Sequence, residues 1–410
     1  MLERVRKWWA NRQDENDARF RRRLDEVKRH NPVPVFWLFG KTQSGKTSLV
    51  KFLTGADDAE IGHGFQPCTR FSREYQFPNA EAPLARFLDT RGVDEPGYDP
   101  AEDIASFGQS AHLVIVTVKA LDHAQENVLR HLRSIRESQP TRPVLLTLTC
   151  LHEAYPQQQH VQPYPFRAFA AEEPIDAPSA PPQLTDLIRT LEAQRQRFAD
   201  LVDHVVPVDL TRPEEGFTEA NYGGQALHDI LHRLLPSAQE QTLRVLEEGL
   251  TELKELHARR AMPTIIGYSV LAGTAGAIPV PFLSLLLLPG IHRRMLRAIA
   301  NEYGRPLSAE RFLEVAEQLG IGQWREQARS EVMKLVPSVG VVTSAATAGS
   351  ATYALGKAYC YFDQASQHGE LPDPDQLRRY YQEQLDRAKV SWQSQPEPAT
   401  AAANSPGEKP

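Results

Sequence analysis

A glycine-rich octapeptide, Gly40-Lys41-Thr42-Gln43-Ser44-Gly45-Lys46-Thr47, followed by Ser48, limits what this chain can fold into more than any other feature. It comes directly after the apolar run Val35–Phe39 and leads into a helix-like stretch that ends near Gly55. The spacing Gly-x-x-x-x-Gly-Lys-Thr is that of a P-loop, and a strand before it and a helix after it are the context the motif requires. Its glycines let consecutive N–H groups turn inward as an anion cradle, and the positive end of the following helix adds to that field. Lys46 is then placed to bridge β- and γ-phosphates, and the Thr47 hydroxyl to ligate Mg²⁺.

A cradle of this kind belongs at the edge of a parallel sheet, and the first half of the chain is patterned for one. Apolar runs at Val35–Phe39, Leu84–Leu88, His112–Val118, Val144–Thr149 and Val205–Val208 alternate with helical patterns at Lys46–Leu53, Gln125–Glu137, Leu184–Asp203 and Gly224–Leu235. That alternation predicts an α/β fold with a mainly parallel sheet. With 410 residues the chain exceeds one ordinary domain. The expected division is a basic amphipathic helix over 1–31, a P-loop domain over 32–235, a connecting helix over 236–262, an all-α domain over 263–390 and a disordered tail over 391–410. Within the P-loop domain, 153–183 is rich in Pro and Gln and reads as a loop, either a passive insertion or a partner-binding segment. Ser237 and Glu240 have the spacing of a capping box at the start of the connecting helix.

Magnesium bound through Thr47 needs a carboxylate from a neighbouring strand, and Asp89, after Leu84–Leu88, has that placement. It opens Asp89-Thr-Arg-Gly92, where the Gly92 N–H can meet the γ-phosphate. Between the two motifs, Thr69 in Gly64-Phe-Gln-Pro-Cys-Thr69 is the candidate switch threonine and third metal-site residue, with an ordinary loop threonine as the alternative.

Gly40–Ser48, the Thr69 loop and Asp89–Gly92 together resemble the first three motifs of translation-factor-related (TRAFAC-class, Era- and Ras-like) small GTPases, a resemblance spanning 33–235. It implies a Ras-like G domain that binds GTP and GDP with Mg²⁺. Where that family carries Asn-Lys-x-Asp to read guanine, this chain has Thr149-Cys-Leu-His152-Glu153. Thr149, His152 and Glu153 are the candidate base contacts, His152 and Glu153 being otherwise plain polar loop residues. Asp209-Leu210-Thr211 resembles the fifth motif. Val93 stands where Ras-like enzymes place a water-orienting glutamine, so turnover is expected to be slow; Gln43 and Arg91 are weak catalytic candidates. The absence of the guanine-reading aspartate keeps an ATPase open as an alternative, beside a scaffold that binds nucleotide without turnover.

In the second half, 264–290 and 335–356 carry no charged residue. Pro279, Pro281 and Pro289 interrupt the first, which leaves a helix too short for a simple membrane span. Gly340, Ser344, Ala348, Thr352 and Gly356 recur every four residues, as do Ser269, Gly273 and Ala277, a spacing that suits close helix pairs in membranes or in a soluble bundle. Ile278–Phe282, Ala300–Gly304, Lys334–Gly340 and Ala351–Lys357 resemble an uncharacterised bacterial domain of the YcjF type, which implies membrane association. The segment 2–30, with Arg21, Arg22 and Arg23 beside Phe20 and Leu24, reads either as a helix packed on the neighbouring domain or as a surface-lying membrane anchor.

A net charge of −6 argues against nucleic acid as a partner. Three widely spaced cysteines fit a reducing compartment rather than a disulfide framework. The expected setting is therefore cytoplasmic, peripheral or integral at the cytoplasmic face of the inner membrane. The expected partners are guanine nucleotide, a membrane through the C-terminal domain, and a protein or second copy.

Overall fold

The computed structural model describes residues 20, 22–56, 66–67, 72–90, 93, 99–155, 159–167, 169, 182–211, 216–217, 219–251, 256–278, 280, 283–305, 311–312, 316, 339–367 and 372–393. The chain divides into two compact units, Val33–Glu247 and a second formed by Met1–Pro32 with Glu248–Pro410.

The first unit is built on a seven-stranded sheet. Its strands are β1 (Val35–Gly40), β2 (Gln66–Pro67), β3 (Ser72–Phe77), β4 (Ala85–Thr90), β5 (Leu113–Lys119), β6 (Val144–Thr149) and β7 (His204–Pro207), in the order β2-β3-β4-β1-β5-β6-β7. From β4 to β7 all pairs are parallel, while β2–β3 and β3–β4 are antiparallel. The helices of this unit are α1 (Lys46–Thr54), α2 (Pro100–Phe107), α3 (Glu126–Ser138), α4 (Pro182–Phe198), α5 (Gly224–Leu234) and the beginning of α6 (Ser237–Thr251).

The sequence explains the layering. Val35-Phe-Trp-Leu-Phe-Gly40 is buried throughout, as a parallel strand covered on both faces must be. In α3, Val128, His131, Leu132 and Ile135 recur at helical spacing and form its buried face. Trp37 sits fully inside, its indole N–H donating to Thr90 Oγ1 at 2.7 Å, so its one polar group is satisfied.

Two elements escape the sequence pattern. β3, Ser72-Arg-Glu-Tyr-Gln-Phe, is largely polar because it lies near the sheet edge and buries only Ser72, Tyr75 and Phe77. Helix α2 is short but well marked: Asp99 accepts the Ala101 N–H at 2.9 Å and Pro100 occupies the first turn. Of the 153–183 stretch, 156–158, 168 and 170–181 lie outside the described residues; Leu151–Ala154 is a turn of 3₁₀ helix, and Phe166 and Phe169 are buried in the sheet's core. The connecting helix is also capped differently. Pro236 is its cap, accepting the N–H groups of Gln239 and Glu240, and the Glu240 carboxylate is instead engaged by Arg244 and His232.

The second unit contains α7 (Leu256–Ala277), α8 (Leu283–Glu302), α9 (Val339–Gln367) and α10 (Pro374–Gln393). The chain breaks between α7 and α8 as the prolines imply, yet Pro289 lies inside α8 and Pro263 inside α7. The small-residue repeat is a packing surface: Ser269, Ala348 and Thr352 are buried, and a Cβ at Gly356 would fall 2.8 Å from Ile265 Cγ1. The helical stretch 22–29 belongs to this unit, not to the sheet-bearing one. Leu24 and Val27 are buried, the Arg294 guanidinium lies 4.8 Å over the Phe20 ring, and Thr274 donates to Asn31 Oδ1 at 3.1 Å. Among the described residues no helix is long and apolar enough to cross a membrane.

A candidate nucleotide site at the carboxyl edge of the sheet

β1 lies between β4 and β5, so the chain leaves it toward opposite sides of the sheet on successive connections. Ligands of α/β folds bind outside the carboxyl ends of strands at such a reversal. Gly40 ends β1 there, and Lys41–Gly45 turn directly into α1, with Gln43 at φ 60° and Gly45 at φ 95°.

The loop is held in shape from beneath. A Cβ at Gly40 would come within 2.4 Å of the Thr117 carbonyl oxygen, so glycine is required for β1 and β5 to meet at this point. The buried Ser44 hydroxyl donates to Lys41 O at 2.8 Å and accepts from Thr117 Oγ1 at 2.6 Å. From β6, Thr149 Oγ1 donates to Ser44 O at 2.9 Å, fixing the loop against a third strand. Lys46 Nζ donates to the carbonyls of Gly40 (2.9 Å) and Lys41 (2.7 Å), folding its ammonium over the loop where phosphate oxygens would lie. Thr42, Gln43 and Thr47 are exposed, and Ser48 is half-buried.

Asp89 is half-buried near the end of β4, which runs on to Thr90. It is in register with Leu38 on β1, two residues before Gly40. Thr69, Arg91 and Gly92 lie outside the described residues. Val93 is buried at 2% exposure.

The far end of the site is formed after β6 and β7. Asp209, 2% exposed, accepts the His152 backbone N–H at 2.6 Å and faces His152 Nδ1 at 2.8 and 2.9 Å through its two oxygens. A carboxylate only accepts, so His152 Nδ1 is the donor, and Nε2 is the ring nitrogen left for a ligand. Glu153 pairs with Lys119 at 2.7 Å, and that bond leads the influences holding the Lys119 ammonium above its usual pKa. Cys150, in the left-handed region at φ 55°, is half-buried, and burial pushes its thiol up. Leu210 is half-buried beside Asp209.

Two contributors were not singled out in the sequence. Thr117 carries no motif, being one buried position of an apolar strand. Asp122, just past β5, pairs with Lys41 Nζ at 2.9 Å. Burial works against its charge, but the bonds from Lys41 and the Ala124 N–H prevail and hold the carboxyl below its usual range.

Comparison with known proteins places this geometry. Residues 35–149 match a family described as "50S ribosome-binding GTPase". Magnetosome membrane protein 22 of Magnetospirillum gryphiswaldense is 29% identical over 133 residues, 30% of this chain and 67% of that protein. Among solved structures, a bacterial selenocysteine-specific elongation factor aligns at 18% identity and TM-score 0.29, covering 49% of this chain and 28% of that one. The G domain of the T. maritima FeoB iron transporter aligns at 18% identity and TM-score 0.27, covering 49% of this chain and 98% of that one. This chain thus spans little more than a quarter of the elongation factor's length. The sheet order, the loop and the matched family agree on a P-loop G domain, and the match over residues 35–149 supports GTP binding by it.

Proposed function

We propose that this chain is a GTP-dependent switch: a G domain that binds GTP and GDP with Mg²⁺, hydrolyses GTP slowly, and controls membrane engagement by its helical unit. The observation that carries the reading is the braced P-loop, with Lys46 Nζ on the Gly40 and Lys41 carbonyls at the reversal point of a parallel sheet. In this reading Gly40–Ser48 cradle the phosphates and Lys46 neutralises the β and γ groups. The hard oxygen donors of Thr47 and Asp89 suit magnesium, which supplies charge neutralisation to the phosphates, with Thr69 as the third metal-site residue. Gly92 meets the γ-phosphate. Thr149, His152, Glu153, Asp209 and Leu210 form the base end.

Slow turnover follows from Val93, apolar and buried, which has no group to orient water. Gln43 and Arg91 are left as the polar side chains nearest the phosphates in sequence. Membrane engagement is supported by the name of the magnetosome membrane relative and by the long uncharged segments at 264–290 and 335–356. A protein partner or second copy would supply the missing catalytic group.

One observation favours a second reading. Neutral His152 offers Nε2 as a single acceptor where the related enzymes offer a two-oxygen carboxylate, so it can take a hydrogen bond from guanine N1–H or from the adenine amino group. An ATPase would use the same phosphate site. Phosphate release from GTP and from ATP by the full chain separates the readings. The switch requires turnover with GTP that Asp89→Ala abolishes; turnover confined to ATP would establish the rival, and no turnover with either, alone or with vesicles, would leave a non-hydrolysing scaffold.

A further inference from the structure

Helix α5 carries His228 and His232, four residues apart and therefore on one face. Against that face lies Glu247 of α6. His228 Nδ1 is 2.5 Å from Glu247 Oε1, and His232 Nε2 is 2.9 Å from Glu247 Oε2. Two imidazoles from one helix and a carboxylate from the next thus converge, with one ligand atom of each within 4.8 Å of the others. All three lie inside the first unit.

A fourth residue makes this more than a chance ion pair. Glu240 Oε1 lies 3.1 Å from the other ring nitrogen of His232, Nδ1, and is itself held by Arg244 at 2.6 Å. The pair is a charge contact without hydrogen-bond geometry as it stands; a carboxylate beside Nδ1 is the partner that, on accepting its proton, orients a metal-binding histidine and frees its Nε2 lone pair for the ion. Here Nε2 is aimed at Glu247. His228 is fixed differently, its ring packed on Phe52 at 4.6 Å between centroids. The side chains keep 18–23% of their surface exposed, so the cluster borders solvent while His228 Nδ1 and Glu247 Oε1 are buried.

We propose that His228, His232 and Glu247 bind one divalent ion of the zinc class, with Glu240 as the positioning residue for His232. Two nitrogens and one oxygen suit Zn²⁺ and its first-row neighbours, whereas Mg²⁺ and Ca²⁺ favour all-oxygen sets such as the one assigned to the phosphate site. A small opening of the two His–Glu contacts, with the ion in place of the bridging protons, lets each ligand atom sit at the roughly 2.0–2.2 Å that zinc takes from histidine and carboxylate. Three protein ligands leave a fourth position for water. The ion would tie α5 to α6, staking the last helix of the G unit to the helix that leaves it.

The test uses the full chain, stripped with a chelator, kept nucleotide-free in excess Mg²⁺, and titrated with Zn²⁺ against a chromophoric competitor. Co²⁺ absorption reads the coordination directly. The proposal expects one ion per chain and a tetrahedral or five-coordinate Co²⁺ spectrum. It expects affinity to fall roughly hundredfold or more in His228→Ala and His232→Ala, and about ten- to hundredfold in Glu240→Gln. His232→Gln, which keeps volume and hydrogen bonding, is measured beside the alanine variant so that a folding defect does not decide the outcome. Nucleotide affinity should be unchanged in Glu240→Gln. Absence of stoichiometric binding, or wild-type affinity and Co²⁺ spectrum in folded His232→Gln, would overturn it.

Discussion

At the scale of single residues, the site depends on side chains that brace its backbone. Thr149 donates across β6 to the Ser44 carbonyl and so stiffens the phosphate loop from the position where related G domains begin their base-reading motif. Thr149→Val keeps the shape and removes the donor, leaving a buried carbonyl without that bond. The expected cost is about 1–3 kcal/mol in chemical denaturation, with weaker nucleotide binding in calorimetry. His152→Asp tests the base end. It restores the residue type of the guanine-reading motif but sets a second carboxylate against buried Asp209, and like charges at that distance repel. The expected result is lower stability and no gain in guanine preference, read by melting and by competition between GTP and ATP. Gly40, Gly45 and Lys46 were legible because their spacing encodes backbone geometry. The role of Asp209 toward His152 was not, because the two, 57 positions apart, are brought together only by the pairing of β6 with β7.

At the scale of elements, legibility followed how much of each segment is buried. β1, β5 and β6 are mostly apolar and almost wholly buried and announce themselves; β3 is largely polar, and its Tyr75 and Phe77 alone do not make a strand pattern. Helix α2 carried its signal in Asp99-Pro100, a cap and a first-turn proline. The small-residue repeats of α7 and α9 were readable as a close helix pair, and the pair forms, with Gly356 against Ile265. Gly356→Val would force these helices apart, at an expected cost of about 1–3 kcal/mol by thermal or denaturant unfolding. In α8, burial pushes the His292 pKa down from 6.5 to about 4, and its Nε2 lies 2.9 Å from Thr352 Oγ1 of α9. Since the Thr352 hydroxyl donates to Ala348 O at 2.8 Å, it accepts from His292, which is neutral. As pH falls through 6.5 the unfolded histidine takes up a proton that the folded one refuses until about pH 4. Stability is therefore lost across that window, by about 3 kcal/mol on linkage grounds. His292→Gln should flatten this part of the stability profile measured by denaturant unfolding.

At the scale of the whole molecule, the chain joins a nucleotide-binding fold to a helical unit that includes its own N-terminal segment. The basic helix at 22–29 spends Leu24 and Val27 on packing within the helical unit, which leaves its charged face to solvent. The switch reading predicts that vesicles containing anionic lipid sediment different fractions of the full chain loaded with GDP and with a non-hydrolysable GTP analogue; equal sedimentation would uncouple the two units. The central claim, however, is the nucleotide site itself. Equilibrium binding of GTP, GDP and ATP analogues to the full chain with Mg²⁺, alongside Lys46→Ala, tests it most directly. The account predicts saturable binding that prefers guanine and is lost in the variant; affinity unchanged by Lys46→Ala would contradict the site, and equal or tighter ATP binding would contradict the GTPase reading.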